Sequence, residues 1–118
     1  MRRWLIGAGL LCLSACAGVG EQSDPRRVTI EMLDNDYSTV ELRIPVGAEV
    51  TFVGAGRNPH NAVAVDGSWS TEAVFGSLAQ MEGDAATVTF DRPGQYAIAC
   101  HEYCGVFHHE MVGTLIVK

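Results

Sequence analysis

Apolar and polar residues alternate over much of the chain from residue 27 onward, the pattern of strands with one face buried and the other in water. Val28, Ile30 and Met32 fall on one side, with Thr29 and Glu31 on the other. Val40, Leu42 and Ile44 alternate in the same way with Glu41 and Arg43. Pro45-Val46-Gly47 predicts a turn, and residues 50–53 a further strand. Residues 62–65, 86–90, 95–100 and 112–117 continue the series, with Asp91-Arg92-Pro93-Gly94 as a turn between two of them. Helical periodicity is weak throughout, and residues 70–81 hold either a short helix or an irregular loop. About eight short strands in roughly 90 residues, punctuated by regular turns, predict an antiparallel sandwich or barrel. Alternation alone does not choose between those two.

The first residues follow a different rule. Met1-Arg2-Arg3 precedes an apolar run over residues 4–13, then Ser14-Ala15-Cys16. A basic start, a short apolar run and small residues before a break predict a secretory signal. The run is well short of the about 18 residues that a spanning helix needs. Leu13-Ser14-Ala15-Cys16 resembles the lipobox of bacterial lipoproteins. That resemblance implies cleavage before Cys16 and a lipid on it; the alternative is an ordinary cleaved signal with Cys16 incidental. Residues 17–24 are small or polar and lack periodicity, as a linker does. The expected organisation is a signal peptide over 1–15, a lipidated Cys and linker over 16–26, and one domain over 27–118. The protein is then exported and lipid-anchored to a bacterial membrane, with its domain facing the periplasm or the cell exterior.

The chain has 118 residues, enough for one domain, and 47% of them are apolar, enough for a packed core. Lys and Arg total 8 against 14 Asp and Glu, a net charge of −6. Without Arg2 and Arg3 the balance is 6 against 14, or −8. This charge excludes nucleic acid as a partner and suits a partner with a basic docking face.

The chemistry concentrates in Cys100-His101-Glu102-Tyr103-Cys104-Gly105-Val106-Phe107-His108-His109-Glu110-Met111. Thiolate and imidazole together select copper or zinc over magnesium or calcium, and a thioether tilts the choice to copper. By parity, Cys100 shares the side of its strand with Tyr96 and Ile98, so an inward Ile98 makes Cys100 inward as well. Met111 directly precedes the last strand, which puts these groups at one end of the fold. A further ligand has to come from elsewhere. His60, in Asn58-Pro59-His60-Asn61, is the one His outside this run, and Asn58-Pro59 predicts a turn that presents it.

The run fits Cys-x-Glu-x-Cys-Gly-x-x-His-x-x-Met without gaps, at Cys100, Glu102, Cys104, Gly105, His108 and Met111. In this it resembles the binuclear copper A site of subunit II of haem–copper oxidases. Pro93-Gly94-Gln95-Tyr96 and Gly113-Thr114-Leu115-Ile116-Val117 resemble that family too, and residues 44–52 resemble early cupredoxin strands. The likeness implies an all-β, cupredoxin-like antiparallel Greek-key sandwich that carries electrons. It implies thiolates of Cys100 and Cys104 bridging two copper ions, each ion capped by His60 or His108. Met111 is then the weak axial ligand of one ion and the backbone carbonyl of Glu102 that of the other. Asn61 is a candidate for a hydrogen bond to a ligand sulfur. Subunit II normally starts with membrane-spanning helices; a lipid on Cys16 is the anchor expected in their place. The implied partner is a redox protein such as a c-type cytochrome or a terminal oxidase.

Other readings fit less of the chain. A Cys100–Cys104 disulfide leaves His60, His108 and Met111 unexplained. A single type 1 (blue) copper accepts the spacing of Cys104, His108 and Met111, but there the ligand Cys ends the strand. That position is Cys100, and the gap from it to His108 is too long. A copper-delivery protein needs exposed, exchangeable thiols. An enzyme needs a base with a nucleophile or an open metal position, and neither is evident. His101, His109 and Glu110 read as solvated residues, Trp69 as packing, and Met32 and Met81 as core or surface filler.

Overall fold

In the computed structural model, which describes residues 24–76, 79–101 and 110–118, each alternating stretch becomes a strand. β1 (Arg27–Leu33) buries Ile30 and Met32 and exposes Thr29 and Glu31. After β2 (Asp36–Tyr37) and β3 (Glu41–Ile44) comes β4 (Ala48–Gly54), whose Ala48, Val50 and Phe52 point into the core. β5 (Val63–Ala64) is short, and a five-residue helix, α1 (Thr71–Phe75), follows it. The chain closes with β6 (Ala85–Phe90), β7 (Gly94–Ala99) and β8 (Val112–Val117).

The described strands make two sheets of four, ordered β2-β1-β4-β6 and β3-β8-β7-β5. The core lies between them, where Phe52, Ile30, Met32, Leu115 and Val50 are fully buried. Each such side chain contributes about 1.5–3 kcal/mol by leaving water. Trp69 packs over the sheet interior, stacked on Phe52 at 5.7 Å and edge-on to Phe90 at 5.0 Å. The architecture is the expected all-β Greek-key sandwich.

Several details differ from the pattern-based expectation. β1 pairs with β4, and β3 with β8, in parallel; the other described pairings are antiparallel. The segment between β1 and β4 crosses to the second sheet as β3 before returning, which is what a parallel pair requires. The two-residue β2 has no alternation to announce it. Val40, on the inward parity of β3, lies before the strand and is exposed. Residues 62–65 supply only Val63 and Ala64 as a strand, because the Ala62 amide donates to Thr71 Oγ1 at 3.0 Å and its carbonyl accepts from the Thr71 amide. In the undecided region 70–81, Ser70 caps α1 by accepting from the Ala73 amide, and Gly76 ends it in a left-handed conformation.

Candidate metal centre

Two of the expected ligands are placed by neighbouring strands. β7 points Ile98 inward, and Cys100, one step past its end, follows the same parity and is 4% exposed. Met111 stands one step before β8 and is fully buried. Ala99 faces Val112 across the ladder, and the Cys100 amide donates to the Met111 carbonyl at 3.2 Å. Cys100 and Met111 are therefore held side by side at one end of the sandwich. Glu102, Cys104 and His108 lie outside the described residues, as does Cys16.

His60 reaches the same end from the other side. It is fully buried. Its amide donates to the Gln80 carbonyl at 3.1 Å, and the Gln80 amide donates back at 2.8 Å. Gln80 is itself fixed, donating through Nε2 to the carbonyls of Phe52 and Asp84. The next residue, Asn61, joins the two halves of the site. Its carbonyl accepts from the Tyr37 hydroxyl at 2.8 Å, and its Oδ1 accepts from the His101 amide at 2.7 Å. That second bond fastens the His60 segment to the residue directly after Cys100.

The His60 ring has two distinct ends. Nε2 lies 3.1 Å from Asp34 Oδ1. Nδ1 is buried and has no hydrogen-bond partner among the described residues. A buried, unsatisfied ring nitrogen costs about 1–3 kcal/mol unless something else takes its lone pair. Asp34 also accepts from the amides of Asn58 at 3.0 Å and Arg57 at 3.1 Å. Those two bonds, and then the one from His60, pull its carboxyl down from 3.8 to about 2. At neutral pH it is a carboxylate and can only accept, so Nε2 donates to it and Nδ1 is the ring end left for another partner.

Among the described residues no three His, Cys, Asp or Glu side chains form a metal-holding group. The described part of the site is one imidazole, one thiol and one thioether, brought together by Asn61 and the β7–β8 ladder. That mixture suits copper, because copper accepts soft thiolate and thioether donors together with imidazole. Asp34 is the residue that sequence reasoning missed. Asp34-Asn35 carries an ordinary turn signal, and nothing in it points to a histidine 26 positions further on. His101 and Glu110 are exposed, Met32 is core and Met81 is at the surface, in line with their readings.

A family model for copper binding proteins of the plastocyanin/azurin family matches residues 26–118. Over 112 residues the chain is 30% identical to cytochrome c oxidase subunit 2 of Thermus thermophilus, covering 84% of this chain and 78% of that one. Among solved structures, a purple cupredoxin from Nitrosopumilus maritimus superposes with a TM-score of 0.60 at 26% identity, over 77% of this chain and 99% of that one. Amicyanin from Paracoccus versutus shares the fold, with a TM-score of 0.60 at 23% identity over 82% and 86% of the two chains. With a sandwich of this topology and a buried His, Cys and Met gathered at one end of it, the chain belongs to the plastocyanin/azurin family of copper binding proteins.

Proposed function

We propose that the domain is a one-electron carrier with a binuclear copper A centre. The observation that carries this reading is the second cysteine. Cys100 and Cys104 stand in a six-position motif that continues through His108 to Met111 without a gap. The 30% identity to an oxidase subunit 2 supports it, as does the likeness to a purple cupredoxin. In this reading the thiolates of Cys100 and Cys104, the imidazoles of His60 and His108, the Met111 thioether and the Glu102 carbonyl would hold the copper, which would supply a one-electron couple.

Copper supplies the one-electron couple; the chain supplies rigidity. Cys100 and Met111 are locked by the β7–β8 ladder, and His60 is pinned at Nε2 and on both sides of its backbone. Ligands that cannot move keep their geometry when the electron arrives or leaves, so little rearrangement opposes transfer. The partner we propose is a terminal oxidase or the cytochrome that feeds it, approached through a basic face that the chain's negative charge attracts.

Reconstitution with copper tests the reading. The expected product is purple, with two copper ions per chain. A blue protein with one ion means a type 1 site instead, and a colourless copper(I) protein means delivery.

The tether belongs to the same proposal: Cys16 carries lipid and holds the domain at a bacterial membrane, facing the periplasm or the cell exterior. Replacing Cys16 with Ser is expected to stall processing or to move the protein out of the membrane fraction. A lipid-free Cys16 by mass spectrometry, with membrane association unchanged in the variant, contradicts the anchor.

A further inference from the structure

We propose that Asp34 is a positioning residue for the copper centre: its carboxylate, seated on the Arg57 and Asn58 amides, holds Nε2 of His60 and thereby turns Nδ1 toward the metal. This deepens the copper A reading and rests on His60 being a ligand.

The bond between the two side chains is 3.1 Å long, and the ring it holds is fully buried. Asp34 lies in the turn between β1 and β2, whereas His60 lies beyond β4, so only the fold brings them together. Three backbone features make that meeting firm. The Arg57 and Asn58 amides donate to the two carboxylate oxygens, Oδ2 and Oδ1. The Ala55 amide donates to the Met32 carbonyl at 3.0 Å, drawing the end of β1 against the segment that leads to His60. Gly56 leaves the room: a Cβ at that position overlaps the Asp34 carboxylate and presses on the Asp34 backbone amide. The carboxylate is 37% exposed while its His partner is wholly enclosed. One end of the imidazole is thus tied to a charge at the surface, and the other, Nδ1, is buried with no hydrogen-bond partner among the described residues.

A carboxylate behind a metal-bound imidazole fixes the ring's tautomer and rotation and makes the ring a stronger donor. It also places a negative charge one ring away from the metal, which favours the more positive, oxidised state. Loss of the charge should therefore raise the reduction potential. Loss of the hydrogen bond should weaken copper binding about 10- to 100-fold.

Asp34→Asn removes the charge and keeps one acceptor. Asp34→Ala removes both. Gly56→Ala leaves the carboxylate in the chain but forces it out of its seat. The expected results are a raised potential in all three variants and a copper affinity that falls from native to Asn to Ala. Potentials equal to the native value in Asp34→Asn and Gly56→Ala, with both variants folded by circular dichroism, overturn the proposal; a residue that only braces the loop lowers the melting temperature and leaves the potential alone. Nitrogen NMR of the native copper(I) protein separates this failure from failure of the underlying reading. A metal-shifted Nδ1 with the proton on Nε2 is expected for His60. A metal-shifted Nδ1 with unchanged variant potentials sinks the Asp34 role only, whereas an unshifted Nδ1 removes His60 from the ligand set and the proposal with it.

Discussion

Replacing Cys104 with Ser is expected to halve the copper content and abolish the purple colour. The substitution exchanges a soft thiolate for a hydroxyl that stays protonated at neutral pH, and a hydroxyl cannot hold two copper ions together with one remaining thiolate. His60, Cys100, His108 and Met111 are left, the ligand types of a mononuclear blue site. The fold should survive, because the change is nearly isosteric and Cys104 falls in sequence between β7 and β8. Copper analysis and the visible spectrum of the purified variant check this. If the unmutated chain already binds one ion, and Cys104→Ser keeps its colour, Cys104 is a bystander.

The second large effect concerns the scaffold. Phe52 is fully buried in β4, the strand flanked by β1 and β6, and its ring stacks on Trp69. Phe52→Ala should cost about 3–5 kcal/mol, the lost burial plus the cavity left under the indole. Its carbonyl also accepts from Gln80 Nε2, and Gln80 pairs with His60, so the strand that carries the core also props one side of the site. That bond uses the backbone, which the substitution retains. Denaturant unfolding of the copper-free variant should show the loss, and the copper spectrum of the folded fraction should stay native. A loss below about 1 kcal/mol contradicts this account of the core, since even an Ile→Val change in a packed interior reaches that size.

Particular residues mark what the sequence could and could not reveal. The inward side of Cys100 was legible because a strand has a period of two: once Ile98 faces inward, the residue two positions on must do so too. The run from Cys100 to Met111 stood out because thiol, imidazole and thioether side chains fall in it at fixed spacing. The parallel pairing of β1 with β4 was not legible, since alternation reports which face is buried and says nothing about the direction of the neighbouring strand. Nor was the link from Asp34 to His60. It depends on a turn after β1 meeting the loop after β4, and both segments carry only ordinary turn signals. Asn61 is an intermediate case: it was a candidate for a hydrogen bond to a ligand sulfur, and its described side-chain bond, from the His101 amide, depends on how two loops meet.

The electron-spin resonance spectrum of the oxidised, copper-loaded protein tests the binuclear assignment most directly. Two bridged ions share one unpaired electron, so the hyperfine pattern should arise from two equivalent copper nuclei, with two ions per chain by metal analysis. A pattern from a single copper nucleus, with one ion per chain, contradicts the copper A centre and leaves a mononuclear site in its place.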